Sequence, residues 1–154
     1  MQWFLTNFYN IRFFPKEMLP VSTCMWDPKW YQANPPVRDK RGVVNGYNCF
    51  RLHMPEEMYK SIKEPCSHEN CDKLSSLPCK FMTTYAQYLK DLSFESVKQQ
   101  IEEAAKQYRC ADVCLMVAER PQILCAERPV LRGWLKSHGI DLIEWTKPVK
   151  KIAL

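Results

Sequence analysis

The sequence predicts an α/β fold, a single-domain three-layer sandwich around a partly parallel sheet. Three observations predict it. Val113-Cys114-Leu115-Met116-Val117-Ala118 is apolar without alternation, the pattern of a strand buried on both faces. After it the chain reads polar loop, helix, strand: Pro129 suits a first helical turn, Gly139 suits the residue past the end, and Asp141-Leu142-Ile143-Glu144-Trp145 follows as a strand. Before it lie two amphipathic helices, which in a short chain serve as crossovers between parallel strands.

In chain order, Trp3 to Tyr9 is rich in aromatics and is expected to be the first strand. Pro20-Val21-Ser22-Thr23-Cys24 is expected to be a second, cut off at Trp26-Asp27-Pro28. Residues 26–56 hold four prolines and two glycines with no helical period, and a loop of that length within one domain is often functional. Phe81, Tyr85, Tyr88, Leu89 and Leu92 place a helix over Lys80–Leu92. Ser93 caps another, with Phe94, Val97, Ile101, Ala104, Ala105 and Tyr108 as its apolar stripe and Lys106 and Arg109 in its last turn. The expected organisation is one domain over residues 1–147, with an irregular cysteine-bearing insertion at 26–79 and a loose tail at 148–154.

At 154 residues the chain suits one core, and its hydrophobic and charged fractions, 46% and 25%, are those of a globular protein. No apolar run approaches the roughly 18–20 residues that cross a bilayer. The opening Met1-Gln2-Trp3-Phe4-Leu5 lacks a basic start and a small-residue cleavage site, so a cytoplasmic protein is expected. The net charge of +5 suits an anionic partner, but the basic residues are mixed with acids and form no continuous nucleic-acid face. Arg38-Asp39-Lys40-Arg41, the densest cluster, reads as a solvated loop.

Eight cysteines without a signal peptide argue for metal binding or burial over disulfides. Cys66, Cys71 and Cys79 fall within fourteen residues, with His68 between the first two. Three thiols on an irregular polar segment can close a tetrahedral zinc site that orders the loop, with Cys49 or His68 as fourth ligand. A four-cysteine set would also admit an iron–sulfur cluster. The plainer alternative is free thiols in a surface insertion.

A second constellation is the loop from Glu119 to Arg128. In open α/β sheets ligands meet the carboxyl ends of strands and the amino ends of helices. Cys125 lies just before a helix start between Arg120 and Arg128, where a thiolate is stabilised. Glu119 and Glu127 can move protons, and Arg128 and Arg120 can hold a phosphate or carboxylate. Against this, Glu127 at a helix start is an ordinary dipole contact, Arg128 can pair with an acid, and Cys125 can be a packing residue. Trp30, with Trp26 and Tyr31 beside Lys29, either stacks a base or covers a core or an interface.

Taken together, Phe8-Tyr9-x-x-Arg12-x-x-Pro15, Pro20-Val21-Ser22, Pro28-x-Trp30-Tyr31, Asn45-Gly46-Tyr47-x-Cys49, Cys66…Cys71…Cys79-x-Phe81 and Glu119-x-Pro121-x-x-x-Cys125 with Trp134-Leu135 resemble the domain of unknown function family 488, in its phage-associated branch. The family's terminal signature is Cys-His-Arg with an acid six residues earlier. Glu119 and Cys125 keep that spacing, but Cys125 is followed by Ala126-Glu127-Arg128, so no acid–base role for a histidine carries over. The resemblance implies a Rossmann-like sandwich of bacterial or phage origin and supplies no activity. Two functions are then expected to compete. One is binding of, or action on, a nucleotide-like or other anionic ligand at the Glu119–Arg128 corner, which predicts a concave pocket there. The other is a small phage or mobile-element protein that binds and inhibits a host protein such as a CRISPR-type defence nuclease, without catalysis, which predicts a closed corner and an exposed patch elsewhere.

Overall fold

The computed structural model describes residues 1–62, 80–118 and 127–148. Its strands are β1 (Trp3–Asn7), β2 (Met18–Ser22), β3 (Val37–Arg38), β4 (Val44–Asn45), β5 (Asp112–Val117) and β6 (Leu142–Glu144). Its α-helices are α1 (Glu56–Lys60), α2 (Lys80–Asp91), α3 (Phe94–Gln107) and α4 (Glu127–Ser137). Four strands form a parallel sheet in the order β2-β5-β1-β6, and β3 and β4 form a separate antiparallel hairpin. The protein is therefore mixed α/β around a parallel sheet. No helix among the described residues is long and apolar enough to cross a membrane.

Strand β5 is central because its side chains are apolar in both directions, and Val113 to Val117 are all buried. Leu5, Leu115 and Val21 stand side by side across β1, β5 and β2. The period of two assigns alternate residues to two cores. Trp3, Leu5, Leu19, Val21, Val113, Leu115, Val117 and Leu142 join the apolar stripes of α2, α3 and α4. Met18, Cys114 and Met116 join Phe8, Ile11, Phe14, Tyr31 and Trp145.

The two outer layers are unequal among the described residues. The long helices α2, α3 and α4 all pack on one face. The other is covered by the 3-10 helix Phe8–Phe13, a second 3-10 turn at Lys29–Tyr31 and the hairpin. The expected strand Trp3–Tyr9 ends at Asn7 for the same reason. Only residues 8–17 connect β1 to β2 across the intervening β5, fewer than the dozen or more usual for a helical crossover. A tight 3-10 turn makes the connection, and its aromatic side chains fill the layer that a helix would have filled.

On the helical face Ser93 caps α3 by accepting from the Ser96 N–H at 3.3 Å. Phe94 stacks on His138 and meets Trp134 edge-on, which joins the start of α3 to α4. Gly139 ends α4 with φ of 83°, the left-handed conformation that favours glycine. Arg109, expected inside the last turn of α3, lies past its end with φ of 56°.

Arg38 and Arg41 are tie points, whereas a solvated loop was expected. Arg38 donates to the carbonyls of Lys16, Gly42 and Tyr108, and Arg41 to those of Ile11 and Arg12. These bonds fasten the hairpin to the 3-10 layer and to the end of α3. A guanidinium has five donors, so one side chain can satisfy several carbonyls that have left regular structure.

Candidate functional site

The carboxyl ends of β2 and β5 present a polar cluster. The Ser22 hydroxyl donates to the Asp27 carboxylate and accepts from the Cys24 N–H at 3.1 Å. The Asn48 amide nitrogen reaches Asp27 Oδ2 at 3.0 Å, the Cys24 carbonyl at 2.9 Å and Ser22 Oγ at 3.2 Å. Thr23 donates to the Met116 carbonyl at 2.9 Å, and its hydroxyl lies 3.5 Å from Glu127 Oε2 at the first residue of α4. A carboxylate is a weak base for a serine hydroxyl, so Ser22–Asp27 holds Asp27 in place and does not activate a nucleophile.

Of the corner expected between Glu119 and Arg128, Glu119, Arg120 and Cys125 lie outside the described residues. Glu127 and Arg128 open α4, and their side chains diverge. Glu127 turns to Thr23. Arg128, expected to meet an anion, is 5% exposed, and its Nη1 donates to both carboxylate oxygens of Glu144, one at 2.6 Å. Arg132 stands 4.0 Å from the same carboxylate. An arginine held this way stitches α4 to β6. Glu144 was missed because it lies sixteen residues away on the next strand, where only the sheet order brings it close.

Of the expected metal ligands, Cys66, Cys71, Cys79 and His68 lie outside the described residues. Cys49 lies in the helical-face core with Leu52 and Tyr85. Burial pushes its thiol up to about 11, opposed in part by hydrogen bonds from the backbone N–H groups of Arg51 and Leu52 and by the Arg51 charge. This has a consequence for pH. In the unfolded chain the thiol ionises near its ordinary value of 9, so between pH 9 and about 11 only the unfolded state loses the proton. The thiol's contribution is intact below pH 9 and is lost as pH rises to 11, at a cost of roughly 2 kcal/mol. Burial shifts Cys114 and Tyr31 in the same direction. Denaturation between pH 8 and 11 should show this fall, with a shallower slope in Cys49→Ala. An unchanged slope would rule Cys49 out as its source.

Trp26, Trp30 and Tyr31 separate. Tyr31 is buried, its hydroxyl 2.9 Å from the Pro20 carbonyl oxygen and 2.8 Å from that of Tyr47, whereas Trp26 is 80% and Trp30 55% exposed. Trp30 lines a cleft of about 320 Å³ with Tyr9, Arg12, Asp39, Arg41 and Asn45. The Arg12 guanidinium carbon sits 3.9 Å from the Tyr9 ring centroid, and its Nε donates to the Tyr9 carbonyl at 3.0 Å. The terminal nitrogens of Arg12 have no hydrogen-bond partner among the described residues. Arg41 is tied to the carbonyls named above and to Asp39 at 3.6 Å.

A second cleft, of about 400 Å³, is lined by Asp27, Gln32, Asn34, Tyr47, Asn48 and Phe50 among others. The two clefts share no lining residue. Asn45 of the first donates to the Trp30 carbonyl at 2.6 Å and accepts from the N–H of Ala33, which lines the second, at 3.3 Å. Gly46, at φ of 102°, lies against Ala33 so closely that a Cβ would overlap the Ala33 carbonyl.

No family model matches the chain, and no curated protein or solved structure matches it either.

Proposed function

We propose that the protein binds an anionic, nucleotide-like ligand, with Arg12, Arg41, Trp30 and Tyr9 as the groups that receive it. The observation that carries this reading is Arg12. Its guanidinium is oriented by the Tyr9 ring and carbonyl, while its terminal donors remain available at an open cleft. Such a guanidinium offers two parallel donors to a phosphate or carboxylate. Arg41 adds charge, Asp39 offsets part of it, and the exposed Trp30 offers a face for a base. Anion binding is placed at Arg12 because Arg128 is committed to Glu144; we assign no reaction to Glu119, Arg120 and Cys125, which lie outside the described residues.

The same reading takes the chain as a phage-type, cytoplasmic relative of family 488 with a Rossmann-like sandwich. It places a structural zinc on Cys66, Cys71 and Cys79. The apolar setting of Cys49 favours His68 as the fourth ligand.

Titration with AMP, UMP and inorganic phosphate tests the site. Arg12→Ala should weaken mononucleotide binding by about 1.5–3 kcal/mol, roughly ten- to hundred-fold. Trp30→Ala should weaken mononucleotides more than phosphate. Equal mononucleotide binding by wild type and Arg12→Ala, or none by wild type, would refute the assignment.

The exposure of Trp26, Trp30 and Phe50 on one insertion favours the second reading, a host-protein inhibitor, since exposed aromatics are typical interface anchors. In that case Trp26→Ala abolishes inhibition of the host nuclease while Arg12→Ala leaves it intact.

A further inference from the structure

We propose that the second cleft is a binding site for a neutral, hydroxyl-rich ligand, a saccharide, held between the Asp27 carboxylate, the amides of Gln32 and Asn34, and the ring of Phe50. This does not rest on the anion site, because the two clefts share no lining residue.

The lining chemistry selects the ligand class. One carboxylate and three amides line the second cleft with no basic side chain, so its fixed charge is negative and an anion is disfavoured. A carboxylate accepts from vicinal hydroxyls, and an amide donates to one hydroxyl while accepting from its neighbour. Phe50 is 65% exposed at the rim, meeting His53 edge-on at 5.9 Å, so a ring face is free for the C–H face of a sugar. Lone aromatic exposure would suit many partners. The surrounding amides and carboxylate restrict it to one that is apolar on one face and hydroxylated at its edges.

The site is also held in shape before any ligand arrives. Asp27 is fixed by Ser22 through one oxygen and by Asn48 through the other, at 3.0 Å, and Gln32 donates to the Asp27 carbonyl at 2.8 Å. Each carboxylate oxygen keeps a lone pair beyond those used, so the network orients Asp27 without saturating it. Preorganisation of this kind lowers the entropic cost of binding. The cleft joins the carboxyl edge of the sheet through Asp27, Asn48 and Ser22, where parallel sheets commonly bind ligands.

The test is a ¹H–¹⁵N NMR titration of the full chain with glucose, galactose, N-acetylglucosamine and cellobiose, each to about 10 mM. At least one should shift the side-chain amides of Gln32 and Asn34 and the backbone at Phe50. Phe50→Ala and Asn34→Ala, both at exposed positions, should each weaken that binding at least about five-fold while leaving the remainder of the spectrum unchanged. Absence of shifts with all four sugars overturns the proposal. So do shifts that persist undiminished in both variants, or tighter binding of glucose 6-phosphate than of glucose at these amides.

Discussion

Leu115→Ala should destabilise the protein by about 2–5 kcal/mol, the range for deleting a buried leucine side chain. Leu115 is fully buried on the central strand, flanked in register by Leu5 and Val21 and covered by the helical layer. A sheet with strands on both sides cannot close in on the void, so the upper half of the range is expected. Leu115→Val, which removes one methylene, should cost no more than about 1.5 kcal/mol. Urea denaturation reads both. Small domains are stable by only about 5–15 kcal/mol, so the alanine variant should unfold well below the wild-type midpoint. A loss under about 1 kcal/mol would mean that the β5 core does not set stability.

Glu144→Ala should be comparably damaging, at roughly 3–5 kcal/mol, because it leaves the Arg128 guanidinium buried without its carboxylate. The strand itself contributes little to that number, since β6 spans three residues and Ile143 beside Glu144 is exposed. The cost belongs to the loss of a carboxylate from beside a buried guanidinium. Joint replacement by Arg128→Met and Glu144→Leu should therefore recover most of the loss, because two apolar groups leave no charge to solvate. Arg132, 4.0 Å from Glu144 and 45% exposed, adds little to the pair. If the double variant is no more stable than Glu144→Ala alone, the loss comes from repacking of α4 and the pair is incidental.

These two sites differ in how far the sequence announces them. The burial of Leu115 follows from an apolar run that does not alternate, and α3 follows from its stripe and from Ser93, because such signals are local and repeat at the period of their element. The opening of α4 was likewise readable from Pro129 and its end from Gly139. The Arg128–Glu144 pair was not readable, because it depends on β6 lying beside β1 and not beside β5. The Arg12–Arg41 cleft has the same character. Arg12 belongs to a short motif and Arg41 to a charged turn, and only the folding of the hairpin onto the 3-10 layer joins them. Carbonyl-binding arginines leave no periodic trace, so a turn dense in charge looked solvated.

Pro20 lies in an edge strand, and its carbonyl points away from β5 to the Tyr31 hydroxyl. A proline at that place offers no N–H to an incoming chain. Three other outward groups of β2 are committed as well. The Met18 N–H donates to Pro15, the Ser22 N–H donates to Tyr47, and the Ser22 carbonyl accepts from Cys49. On this margin the sheet has almost no main-chain valence left with which to recruit a strand from another molecule. The insertion thus protects a parallel sheet from edge-to-edge aggregation.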